Sequence, residues 1–239
     1  EHELGFALFK PKGRGLTLTD AGVAALAEAD HIFALGEKLP SKVRDAVRGK
    51  TLRLHVGISD GIAKMAVHRL LAPILKDDHL HLICQDGEFD DLIADLATHK
   101  LDLVLADHAP ALSLNFKVQH QIMATSAVSW YATPLVAEQS VIDFPDCLAQ
   151  LPVLLPTTHN ALRSRLKHWF ESERINPNVV GEFEDNALLT TFGISGMGVF
   201  PAADWLEDYL TQQHGLIKIA GCGDVVEHFH AIYTQRKVI

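Results

Sequence analysis

Carboxylates that follow strand-like runs are the first residues here with chemistry to offer. Asp60 follows TLRLHVGIS, Asp107 follows LDLVLA, and Glu184 and Asp185 follow VVGEF. A carboxylate between a strand and a helix can accept the free N–H groups of the helix's first turn, a cap worth about 1 kcal/mol. Where several such ends converge, the carboxylates occupy the place an anion would take and leave a negative mouth. That mouth suits a small hard cation, held by carboxylates, carbonyls and water. We expect Asp60, Asp107 and Asp185 to shape a small-cation site; millimolar affinity asks for only about 4 kcal/mol. Ser59, Thr125, Ser126, Thr157, Thr158 and Glu184 are the other polar positions expected at the same cleft. The loop hydroxyls among them serve equally well as caps or turn residues.

Other groups offer less. His79 and His81, like His228 and His230, are spaced to share one strand face. An HxH pair can ligate a metal, but a polar strand face is the simpler reading. Cys84, Cys147 and Cys222 are far apart, form no CxxC and are expected to be free thiols. GISGMG (Gly193 to Gly198) is rich in glycine but precedes a strand, so it is not a phosphate loop. GxSxG, HExxH and GxxxxGK[ST] are all absent from the sequence, and no enzyme is expected. Lys10, Lys12 and Arg14 alternate with Pro11, Gly13 and Gly15 in a segment too short to bury much; it can hold cations against phosphates or form a solvated turn.

The elements that must position these groups follow from periodicity. Thr19 is placed to cap a long helix ending at Gly49, with a bend or break expected between Gly36 and Pro40. Its apolar stripe, including Val23, Leu26 and Phe33, needs a partner, and a second copy of the chain is the simplest one. From Thr51 strands and helices alternate: strand 51–59, helix 61–75, strand 80–84, helix 90–99, strand 101–106. Strands 116–123 and 127–133 follow. A second unit holds strand 152–155, helix 162–172, strand 179–184, helix 187–194, strand 197–201 and helix 205–212. Strands 216–220 and 228–234 close the chain. Two α/β units in series make a clamshell, and ligands in such sheets sit at the carboxyl ends of the strands.

Composition agrees with a globular chain. Of 239 residues 48% are hydrophobic and 21% charged, and no apolar run approaches a membrane span. No signal peptide opens the sequence, so a cytoplasmic protein without membrane partners is expected. The first 50 residues hold eight Lys/Arg and seven Asp/Glu; the remainder holds 13 and 23. An acidic body repels nucleic acid, which leaves the opening segment as the part to meet it.

The run LGFALFKPKGRGLTLTDAG (Leu4 to Gly22) resembles the wing and linker start of LysR-type transcriptional regulators. FKPKGRG (Phe9 to Gly15), GISDGIAK (Gly57 to Lys64), GEFEDNALLTTFG (Gly181 to Gly193) and EHFHAI (Glu227 to Ile232) resemble a sodium-responsive branch of that family. The resemblance implies an α/β, two-lobed, periplasmic-binding-protein-like (type 2) effector domain. A linker helix and the wing of a truncated winged helix-turn-helix would precede it. It implies wing residues 1–18, a dimerising linker at 19–49, one lobe from 50–122 with 226–239, and a second lobe from 123–225. Double-stranded DNA, a small effector (Na⁺ or Li⁺) and a homodimer or tetramer are the implied partners, with no resident cofactor. A transporter's solute-binding protein is the main alternative on the same fold.

Overall fold

The computed structural model describes residues 1–13, 15–48, 52–110 and 118–234. Arg14, the helix end at Gly49, and Thr51 and Phe116 as strand starts fall outside these ranges. The opening segment forms an antiparallel hairpin, β1 (Phe9–Lys12) with β2 (Gly15–Leu18), pairing Lys10 with Thr17 and Lys12 with Gly15. Gly13 supplies the positive φ of +62° at its turn. Lys10 and Lys12, two apart on one strand, share a face and are exposed.

Thr19 caps the long helix α1 (Asp20–Arg48): its hydroxyl accepts the Gly22 N–H at 3.0 Å and donates to the Ala7 carbonyl. No break interrupts this helix, which continues through Pro40. A proline ring presses on the carbonyl of the residue four before it. Here that residue is Gly36, whose missing side chain would face open space, so its peptide has room to tilt. Val23, Leu26, Phe33, Leu39 and Val43 along α1 are exposed in the single chain.

The body begins with β3 (Leu52–Ser59), α2 (Lys64–Leu71), β4 (Leu80–Gly87), α3 (Phe89–Ala97) and β5 (Leu103–Ala106). The helix expected from Gly61 to Leu75 is shorter, because Gly61–Ala63 is a turn and Ala72–Lys76 tightens into a 3₁₀ helix. Then come β6 (Val118–Ala132), the short α4 (Pro134–Ala137), β7 (Val153–Pro156), α5 (Ala161–Glu173), β8 (Val179–Phe183), α6 (Asn186–Ile194), β9 (Phe200–Ala203) and β10 (Ile217–Thr234). The helix expected at 205–212 is a 3₁₀ turn, Asp204–Leu206, followed by a π turn, Tyr209–Gln213.

Six strands form one curled mixed sheet in the order β4-β3-β5-β10-β6-β9, while β7 and β8 pair in parallel beside it. The two strands expected on either side of Ala124–Ser126 are one, and so are the two closing strands. MATSAV contains no glycine or proline, and β6 keeps pairing with β10 from Val118 to Ala132. The register shift between Gly221 and Val226 absorbs the glycine-rich stretch within β10. These two long strands run the length of the body.

Packing on the sheet is unequal. Leu92, Leu96, Val104 and Ile232 form one small core around α3. Trp130, Leu148, Leu155, Leu166 and Trp169 form another around α5. The third cluster joins Val56, Ile62 and Ala66 of the first unit to Tyr131, Phe200 and Leu206 of the second. The units therefore share a core as well as owning one each. Among the described residues no helix is long and apolar enough to cross a membrane.

Candidate functional site

Parallel strands carry their following loops to one edge, and a small cleft, open at its mouth, lies there. Ser59 ends β3 and Asp60 and Gly61 follow it, Glu88 and Phe89 join β4 to α3, and Asp107 and His108 follow β5. Thr157, His159 and Asn160 lead from β7 into α5, and Glu184 follows β8.

Asp107 organises the centre. It is 4% exposed; its Oδ1 lies 2.7 Å from His108 Nδ1, and its Oδ2 accepts the Ala161 N–H at 3.1 Å. Ala161 is the first residue of α5, so this carboxylate fills the anion seat at that helix terminus. Burial acts to raise its pKa, but the hydrogen bond and charge of His108, with the Ala161 N–H, outweigh it. The carboxyl stays below its ordinary value. Gly61 makes the seat possible, since a Cβ there would fall 2.7 Å from Asp107 Oδ2. Two more hydrogen bonds cross the cleft: Asn160 Nδ2 donates to the Gly61 carbonyl, and the Asn186 N–H donates to the Asp60 carbonyl, each at 3.3 Å. Asn160 also caps α5 by accepting the Leu162 N–H at 2.8 Å. The His108 ring lies 4.1 Å from that of Phe89, tilted by 37°.

Of the expected residues, Ser59, Asp60, Asp107, Thr157 and Glu184 line the cleft. Asp60 does not cap α2; Ala63 takes that position, because the turn at Gly61 delays the helix. Asp185 lies outside the lining, and its Oδ1 accepts the Leu188 N–H at 2.6 Å as the cap of α6. Thr158 is exposed beside the cleft without lining it. Thr125 and Ser126 are not loop residues, since β6 runs through them. Thr125 Oγ1 meets His228 Nδ1, while Ser126 Oγ donates to the Ala127 carbonyl and accepts the Trp205 N–H.

Six lining residues went unanticipated: Gly61, Glu88, Phe89, His108, His159 and Asn160. Asn160, just before a helical pattern, carries a cap signal that sequence rules recognise. Among the described residues, four lining the cleft are carboxylates, Asp60, Glu88, Asp107 and Glu184, and none is Lys or Arg. Among the described residues no three His, Cys, Asp or Glu side chains converge tightly enough to cage a metal. A cation here would keep water and backbone oxygens among its ligands.

Residues 48–238 match the family model described as LysR substrate binding domain. The chain is 29% identical over 240 residues to the transcriptional activator protein NhaR of Escherichia coli K12, covering 100% of this chain and 78% of that one. Full-length CbnR complexed with its target DNA has the same fold: TM-score 0.65 and 16% identity, over 99% of this chain and 81% of that one. The regulatory domain of CrgA, a LysR-type transcriptional regulator from Neisseria meningitidis, aligns at TM-score 0.59 and 18% identity, over 77% of this chain and 90% of that one.

Proposed function

The chain belongs to the LysR substrate-binding-domain family, and from that premise we propose that it senses a small cation in its cleft and thereby controls transcription at double-stranded DNA. It is a ligand-sensing transcriptional regulator, and the naming of its relative NhaR as an activator makes activation the expected sense. We read it as cytoplasmic and non-enzymatic, acting as a homodimer or tetramer joined through α1. Effector binding selects one arrangement of the two units, and α1 passes that choice to the DNA-binding head.

One observation carries the cation: among the described residues, four carboxylates and no Lys or Arg line the cleft. Na⁺ and Li⁺ are the ions implied by the sequence resemblance. Calorimetry with NaCl, LiCl and KCl is expected to give millimolar affinity for Na⁺ or Li⁺, and Asp60→Asn with Glu184→Gln should weaken it about tenfold. Asp60 is half-buried and Glu184 exposed, and neither side chain holds a hydrogen bond or ion pair among the described residues, so the double variant should fold. Heats indistinguishable from those of KCl would remove the alkali ion as effector. The Phe89 and His108 rings beside these carboxylates favour a second reading, an organic ammonium ion held partly by ring faces. Methylammonium is its probe.

The hairpin supplies phosphate contacts through Lys10 and Lys12, with Arg14 expected to join them. Lys10→Ala with Lys12→Ala should weaken binding to all DNA sequences alike. It should also flatten the dependence of log K on log salt by roughly 2, which a salt titration measures.

A further inference from the structure

Behind Asp107, on β10, lies a carboxylate that the sensing role does not use. Glu227 is 5% exposed and makes no hydrogen bond or ion pair among the described residues. Two charged groups act on it: the Asp107 carboxylate from the end of β5, and the Arg165 guanidinium from α5. Arg165 is committed elsewhere, donating from Nη1 to the Val226 carbonyl at 2.8 Å. The β6 residue paired with Glu227 is the uncharged Ser126. On its own strand His228 and His230 follow, with His120 of β6 5.7 Å from His230, ring to ring. His230 is itself held below its ordinary pKa by burial and by the neighbouring histidines.

A buried carboxylate without a donor, facing another carboxylate, is best accommodated as the neutral acid. Helix α5 packs on β10, bonds through Arg165 to the carbonyl of Val226 beside Glu227, and is pinned at its first residue to Asp107. Were α5 to move away from β5, water would reach Glu227 freely.

We propose that Glu227 is a proton-coupled latch, taking up a proton as the two units close over it and releasing the proton as they part. The latch acts on closure itself and does not depend on which effector enters the cleft. Burial, with Asp107 adding to it and Arg165 opposing, pushes the Glu227 pKa up to about 7 from an ordinary 4.5. The sign follows by linkage. A carboxyl whose closed-state pKa is raised favours closure fully below its open-state value, and that contribution is lost as pH rises through the closed-state value. The closing equilibrium should therefore change by up to about tenfold per pH unit within that window.

Two measurements on the whole chain test this. With glutamate labelled at Cδ, one resonance should titrate near pH 7 and vanish in Glu227→Gln. Solution scattering should show the chain becoming more compact as pH falls through the same range, with Glu227→Gln compact throughout. Arg165→Gln leaves Glu227 in place and should move the titration to higher pH, which keeps the test alive if Glu227→Gln fails to fold. Three results would each overturn the latch: no glutamate titrating above about pH 6, a downward shift in Arg165→Gln, or an unchanged pH response of shape in Glu227→Gln.

Discussion

Asp107→Ala is expected to destabilise the fold by about 2–4 kcal/mol and to abolish the effector response, because one carboxylate both joins the two units and forms the cleft's centre. The substitution removes a charge-assisted hydrogen bond to the Ala161 N–H and strips His108 of its partner. It also leaves a helix-terminal donor without its acceptor, the costlier half of the change. Asp107→Asn keeps an oxygen for Ala161 but loses the charge, so it should cost about half as much. The pH dependence separates the two variants. Asp107 has a lowered pKa in the fold, so its charge stabilises above its unfolded value of 3.8 and ceases to as pH falls through the folded value. Urea unfolding at neutral pH should therefore show the full gap between wild type and Asp107→Asn, and the gap should narrow progressively as pH falls below 3.8. A gap that persists undiminished in acid would mean that Asp107 acts through shape and not through charge. This window lies below that of Glu227, so the two carboxylates can be told apart in one pH series.

How much of this was legible in the sequence depended on the range of the forces involved. The strand–helix alternation was readable because each element pays its own way in local periodicity, from LRLHVGIS of β3 to the helix of Ala161–Glu173. The cleft's position followed, since parallel strands deliver their loops to one edge. Long-range pairing was not readable. ATS at 124–126 carries polar residues that suggest a loop, yet the ladder between β6 and β10 holds it extended. That took Thr125 and Ser126 out of the cleft. Asp185 shows the same limit from the other side: cap and ligand demand the same residue at the same place, and only the bond to Leu188 decides for the cap. Glu227 did leave a trace. It shares the parity of Phe229 and Ala231, both buried, so its side chain falls where an apolar one belongs.

The shared core bears on how far the units can move independently. Trp130→Ala should cost about 3–5 kcal/mol, the usual range for a large aromatic removed from a filled core. Trp130 is 0% exposed, with the rings of Trp169 and Phe170 at 6.0 and 5.8 Å. Trp130→Phe keeps a ring in the site and should cost roughly half as much. The distribution of the damage is more informative than its size. Adjacent residues on β6 face opposite sides of the sheet, so Trp130 enters the core around α5 while Tyr131 enters the core the units share. Hydrogen exchange in Trp130→Ala should therefore accelerate in α5 and β7 and stay near wild type in α2 and β3. The start of α5 lies against Asp107, so the same variant should loosen the cleft from one side only. Uniform acceleration across both units would instead make the shared core the dominant coupling. The hinge would then have to lie outside the sheet, because strands that unfold together cannot act as a pivot between two independent bodies.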